Sequence, residues 1–182
     1  TKVLWEAGDE IKVLWSKDGY NKAKAEPYNE NTAATFNTSV EEADSYYAVH
    51  PYAAESSYSD GNIVVTIPSV QGGTFADANI AVAKATEENL FRFKHLVGMI
   101  CFTTDTPGKV VISGVEDDIL TGVVTVTRFN DEDGTPVYDE DRITNASNAI
   151  EIDASASGTY YAAFLPSAKL TYLSIKVDEG DA

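Results

Sequence analysis

Apolar and polar residues alternate with a period of two along most of this chain, and no other feature of the sequence constrains its fold as strongly. Val, Ile, Thr, Tyr and Phe dominate the apolar positions, and such side chains fit a pleated, half-buried surface. The pattern predicts strands at Glu10 to Leu14, Ser45 to Val49, Asn62 to Ile67, Ile80 to Ala83, Leu90 to Lys94 and Val97 to Thr103. It continues with Lys109 to Ser113, Val123 to Arg128, Thr135 to Tyr138, Ala149 to Ile152, Thr159 to Leu165 and Leu170 to Val177. Between them, Asp18-Gly19, Asp60-Gly61, Gly72-Gly73, Pro107-Gly108, Asp133-Gly134 and Ser157-Gly158 offer the positive φ that tight reversals need. Many short, regularly punctuated strands define an all-β fold, a sandwich or barrel, mainly antiparallel. Only Ala83 to Asn89 has helical propensity, over barely two turns. The polar stretch Asn21 to Ala43 holds a faint strand at Ala34 to Phe36 and is expected to run over the surface.

No composition shift or internal repeat interrupts the series, so a single domain spanning residues 1–182 is expected. With 43% hydrophobic and 10% aromatic residues, the chain has enough apolar material to fold around a core. Thirteen Lys and Arg face twenty-nine Asp and Glu, a net charge of −16 that repels phosphate backbones and disfavours nucleic acid as a partner. An anionic membrane surface is disfavoured for the same reason, so membrane attachment is expected only through a lipid anchor outside this chain. Cys101 is the sole cysteine, which rules out an internal disulfide. Its setting, Val97-Gly98-Met99-Ile100-Cys101-Phe102, reads as a buried core thiol.

The residues that carry chemistry form no recognisable site in the sequence. His50, His95 and Cys101 are too few and too far apart for a zinc site. Each histidine is expected to be structural or merely exposed. The acidic run Asp131-Glu132-Asp133-Gly134, followed by Asp139-Glu140-Asp141, invites a calcium reading. A twelve-residue loop counted from Asp131, however, puts Gly134 fourth rather than sixth and Arg142 where the bidentate Glu belongs. A solvated hairpin tip is the reading that fits. Phosphate loops, dinucleotide fingerprints and nucleophile elbows are absent, and carboxylate abundance alone does not make a glycosidase. The expectation is a non-enzyme with no catalytic, cofactor or metal residues.

Ten tyrosines are the one excess with a functional look. Tyr46, Tyr52 and Tyr58 are candidate ligand contacts, since exposed aromatic rings stack on sugars or anchor a partner. Alternation sends Tyr46 and Tyr47 to opposite faces, so only one of that pair packs inward.

Read in order, several landmarks resemble the fimbrillins, type V pilins and related surface lipoproteins. Trp5-Glu6-Ala7-Gly8-Asp9-Glu10-Ile11-Lys12-Val13 is similar to the family's Trp-x-x-Gly-Asp-x-Ile-x-Val opening. Tyr46-Tyr47-Ala48-Val49-His50-Pro51-Tyr52 follows, with His50 where the family commonly carries Tyr. Then come Ile67-Pro68-Ser69-Val70-Gln71, Ala81-Val82-Ala83, and Phe91-Arg92-Phe93-Lys94-His95-Leu96-Val97-Gly98, which has His95 in place of Asn. Leu120-Thr121-Gly122 and Tyr160-Tyr161 leading to Leu165-Pro166 complete the series.

The resemblance implies a transthyretin-like or immunoglobulin-like β-sandwich, the N-terminal domain of a longer fimbrillin-like protein whose second sandwich is not in this chain. It implies an exported protein at the outer-membrane surface, a structural or adhesive fimbrial subunit. Neighbouring subunits would be its partners through strand addition, with a strand-exchange edge near Thr1, Lys2, Val3 and Leu4. A surface protein or glycan is the other partner class, and a carbohydrate-binding surface lipoprotein module is the alternative function.

Overall fold

A computed structural model describes residues 4–115, 117–166, 170 and 172–178. In chain order the strands are β1 (Glu10–Leu14), β2 (Tyr20–Tyr28), β3 (Ala33–Phe36), β4 (Tyr47–His50), β5 (Ser56–Ser59), β6 (Asn62–Ile67) and β7 (Val70–Gln71). After the short helix α1 (Phe75–Ala78) come β8 (Ala81–Lys84), β9 (Lys94–His95), β10 (Gly98–Thr104), β11 (Gly108–Ser113), β12 (Thr121–Phe129) and β13 (Pro136–Tyr138). A 3-10 turn at Glu140–Arg142 precedes β14 (Thr144–Ser147), β15 (Ala149–Ala154), β16 (Gly158–Phe164) and β17 (Ser174–Asp178). The fold is an all-β sandwich, and the pairing is antiparallel apart from β15 with β7.

The first sheet runs β3-β2-β1-β4-β8-β9, and a second runs β13-β12-β6-β5, with β14 added on β12. Alternation on these strands fills the space between them. Leu14, Tyr47, Val49 and Val82 of the first sheet meet Ile63, Val65, Ile67, Val124 and Val126 of the second. A third sheet, β17-β11-β15-β7, contributes Val110, Ile112, Ile150 and Ile152 to a separate core.

The two-stranded ribbon of β10 and β16 is the wall between these cores. Ala163 packs in the first and Ala162 in the second. Tyr161 and Met99 lean on the first core, while Tyr160, Phe164, Ile100 and Phe102 lean on the second. A strand with both faces covered reads as a continuous apolar run, as Tyr160 to Leu165 does. Gly98 lies opposite Phe164, and a Cβ there would come within 2.5 Å of the ring, so close packing requires this glycine.

Side-chain hydrogen bonds close the outer edge of β16. Gln71 Nε2 donates to the Ala163 carbonyl at 2.8 Å and to the Pro68 carbonyl at 2.9 Å, and Gln71 Oε1 accepts from the Ala163 N–H at 2.8 Å. The Tyr161 N–H donates to the Gly73 carbonyl at 2.9 Å. An amide side chain and one loop carbonyl thus satisfy backbone groups that a further strand would otherwise pair.

Several expectations are corrected. Asn21 to Ala43 is no surface wanderer over its first half, because β2 pairs with both β1 and β3. Its buried positions are Ala23 and Ala25, too small to give a strong alternation signal. Ala83 to Asn89 is not helical. Ala83 and Lys84 pair within β8, and the Thr86 hydroxyl accepts from the N–H groups of Glu88 and Leu90, folding a turn instead. The helix forms at Phe75–Ala78, where the Thr74 side chain caps it by accepting from the Asp77 N–H. Leu90 to Lys94 contributes only an Ala85–Phe91 bridge and the start of β9.

Cys101 is exposed, not buried. It shares the ribbon face of Met99 and of its partner Tyr161, which pack against the first core, but its own side chain is left uncovered. A thiol reagent is therefore expected to label native Cys101 completely without denaturant; labelling that requires unfolding would return the thiol to the core.

Gln71→Ala leaves the Ala163 N–H and C=O unpaired in a buried setting. We expect a loss of about 2 to 6 kcal/mol in urea unfolding, from roughly 1–3 kcal/mol for each orphaned group. Gln71→Glu keeps an acceptor for the N–H but turns a carboxylate oxygen toward the Ala163 and Pro68 carbonyls, and at neutral pH should be destabilised at least as much as Gln71→Ala. Equal stabilities for all three would exclude this role for Gln71.

Candidate functional site

Aromatic side chains cover the outer face of the first sheet. In β1, Lys12 and Leu14 point toward the second sheet, whereas Ile11 and Val13 point away from it. Ile11 and Val13 are nonetheless buried, together with Ala23 and Ala48, beneath Trp5, Trp15, Phe36, Phe91 and Phe93. The aromatic residues roof this face of the sheet.

Trp5 organises this roof. Its ring makes edge-on contacts with Phe36, His50 and Phe93 at centroid distances of 5.1, 5.3 and 5.2 Å. Phe36 ends β3 at one side of the sheet and Phe93 precedes β9 at the other, so a single indole joins the two edges. Such contacts contribute about 0.5–1.5 kcal/mol each beyond their buried area. The Trp5 N–H donates to the Asn31 carbonyl at 2.9 Å, fixing the arm that carries the ring.

A cavity of about 770 Å³ opens beside this roof. Aromatic side chains of Trp5, Phe36, Phe91, Phe93, Tyr28 and Tyr46 line it. Its polar lining includes His50, Asn79, Asp9, Arg92 and His95. His50 is buried on β4, and its Nδ1 lies 3.0 Å from the Asn79 carbonyl. A carbonyl only accepts, so Nδ1 carries the proton and Nε2 keeps a lone pair. Among the described residues Nε2 has no donor. Asn79 is buried as well, and its Oδ1 has no hydrogen-bond partner.

The sequence-predicted contacts are dispersed. Tyr46 lines the cavity, its hydroxyl donating to the Glu41 carbonyl at 2.9 Å and accepting from the Ala43 N–H. Tyr47 packs inward, as alternation requires. Tyr58 rests against Tyr47 at 6.1 Å. Tyr52 lies elsewhere, beneath the ammonium groups of Lys22 at 4.3 Å and Lys12 at 5.4 Å from its ring centroid. Burial pushes the Lys12 amine down, opposed by the nearby Glu55 charge, and its Nζ donates to the carbonyls of Ala54 and Ser56. Leu4 is exposed and lines the cavity, whereas Thr1, Lys2 and Val3 lie outside the described residues. The acidic tip at 131–134 is an exposed turn in which Asp133 accepts from Thr135.

A second feature is the outer edge of β10. Tyr161 and Ala163 point their N–H groups away from β10, so their partners Cys101 and Met99 form non-hydrogen-bonded pairs. The N–H and C=O groups of Met99 and Cys101, and by alternation Thr103, therefore face outward. Among the described residues nothing pairs with them.

Comparison with family models, with curated proteins and with solved structures found no match.

Burial is the main force holding the His50 imidazole below its ordinary value; His95 pushes it further down, and the Asn79 carbonyl and Asp9 oppose the shift. The unfolded chain thus takes up a proton near pH 6.5, before the folded chain does. The stability carried by neutral His50 is complete above that pH and is lost as pH falls through the folded value. Urea unfolding between roughly pH 7 and pH 5 should show a steeper decline for the wild type than for His50→Gln. Parallel profiles would mean that His50 does not titrate in this window.

Proposed function

We propose that this chain is a structural or adhesive subunit of bacterial surface fimbriae, joined to its neighbours by strand addition along β10. The observation that carries the reading is the free edge just described. Native sheets protect long edges with charges, prolines or bulges. β10 has none of these: Gly98 to Thr104 is uncharged, lacks proline and keeps an unbroken register with β16 over seven residues.

The surroundings favour an added strand. β16 lies against β15, and Gln71 of β7 holds its outer edge, so β10 faces the β17 side of the third sheet. Ile175 and Val177 of β17 lie opposite Ile112 and Val110, on the face of the second core, yet are 45% and 39% exposed. A strand beside β10 would satisfy its outward amides and carbonyls and cover these two side chains, giving affinity through the backbone and register through alternate side chains. The ordered motifs shared with fimbrillins support the same reading and suit an exported protein at the outer-membrane surface. The edge on β10 is a candidate separate from the one expected at Thr1 to Leu4, of which only Leu4 is among the described residues.

Cys101→Pro is a direct test. The substitution removes an outward N–H and leaves the β16 pairing intact, which proline permits on an edge strand. Cys101→Ser is expected to assemble like the wild type. Cys101→Pro should keep its fold by circular dichroism and lose multimers in sedimentation and electron microscopy of the expressed protein. In the wild type, the Met99, Cys101 and Thr103 amides should exchange quickly as monomer and slowly once assembled. Full assembly by Cys101→Pro, or exchange at these amides unchanged on assembly, would sink strand addition at this edge.

A further inference from the structure

We propose that the cavity on the outer face of the first sheet binds a neutral sugar ring, packed on the aromatic wall and donating a hydroxyl hydrogen bond to His50 Nε2. The inference goes beyond strand addition and does not depend on it, because the cavity and the β10 edge belong to different sheets.

The cavity has the size and character of a small-molecule site. Its volume of about 770 Å³ falls within the roughly 300–1,000 Å³ usual for such pockets, which combine apolar walls with a few placed polar groups. Trp5, Phe36 and Phe93 are held by one another, so the wall is formed before any ligand arrives. A preformed wall avoids the ordering cost of binding.

The polar groups select the ligand class. His50 cannot turn to donate from Nε2, because the Asn79 carbonyl keeps the proton on Nδ1. Asn79 is thus a positioning residue, and Nε2 is an acceptor waiting for a donor. Asp9 also lines the cavity, with Oδ2 accepting from the Glu6 N–H at 2.8 Å and Oδ1 without a donor among the described residues. Arg92, which forms no ion pair among the described residues, lines the cavity as well, so an ion of either sign meets one attractive and one repulsive charge and neither sign is selected. A purely apolar ligand would seal Nε2 away from water with nothing to donate to it, and buried acceptors are rarely left so. What remains is an uncharged molecule with an apolar face for the rings and hydroxyls for His50 and Asp9. A pyranose has both, since its axial C–H groups form one face and its hydroxyls lie around the rim.

Titration of the ¹⁵N-labelled chain with glucose, galactose, mannose, N-acetylglucosamine and their disaccharides tests the proposal. The two tryptophan indole signals, assigned through Trp15→Phe, report where binding occurs. At least one sugar is expected to move the Trp5 signal saturably while leaving Trp15 in place. His50→Phe keeps an aromatic ring and removes the acceptor, and should weaken that binding at least about tenfold, as loss of one desolvated hydrogen bond does. If His50→Phe does not fold, the wild-type imidazole ¹⁵N resonances give the same answer, because Nε2 must shift when it accepts a hydroxyl. Three results would overturn the site: no sugar in the panel moving Trp5, binding that leaves both Nε2 and the His50→Phe affinity unchanged, or decanoate moving Trp5 where no sugar does. Loss of multimers in Cys101→Pro with sugar binding retained would separate this site from the assembly edge.

Discussion

Gln71 holds the backbone of Ala163 through two hydrogen bonds of 2.8 Å, and the strand it holds is shared by two hydrophobic cores. Residue 162 packs on one side and residue 163 on the other, so a shift of β16 would disturb both at once. Close packing makes such a shift costly, since interiors do not deform continuously. The clamp also sets the asymmetry of the ribbon. With one edge of β16 occupied by Gln71 and Gly73, β10 is left as the face of the ribbon that can accept another strand. A buried amide side chain with its bonds satisfied therefore decides which edge of the molecule is closed and which is open.

Where side chains were large and one face was buried, the fold was legible. β6 matches the alternation residue for residue, because Ile63, Val65 and Ile67 are bulky and fully covered, and β1 keeps the expected bounds although Leu14 is buried on the face opposite Ile11 and Val13. β2 was missed because alanines fill its buried positions and lysines its exposed ones, a composition that suits a helix or loop equally well. The Ala83 to Asn89 segment erred in the other direction: local propensity favoured a helix, and pairing with β4 together with the Thr86 hydroxyl overrode it. Cys101 misled for a subtler reason. Its neighbours are apolar because they serve two cores, and an apolar setting does not show which single side chain of the ribbon is left uncovered.

The cavity was less accessible to sequence reasoning. Trp5, Phe36, His50, Asn79 and Phe93 come from five separate segments, and none was marked out as a contact. A signal did exist. On β1, Ile11 and Val13 are as apolar as the residues facing the first core, which means that the opposite face must be covered too. Following that clue leads to a second layer and hence to the aromatic residues before β1 and β9. The tyrosine excess pointed to Tyr46 alone among the lining residues, because a tyrosine hydroxyl can be satisfied by a local carbonyl as easily as by a ligand.

Net charge bears on both features in different ways. At −16, copies of this chain repel one another, and association must bring surfaces together where that repulsion is smallest. Gly98 to Thr104 carries no charge, and the bonds it offers are backbone bonds that need no ionised partner. At physiological ionic strength, charges farther than about 8 Å from the contact are largely screened. An uncharged edge on a strongly acidic chain thus confines close approach to one line of the surface, where negative charge elsewhere disfavours other pairings. The cavity meets the same field differently: with Asp9 and Arg92 both in its lining, it gains nothing from a charged ligand of either sign, and its selectivity rests on shape and on the direction of single hydrogen bonds.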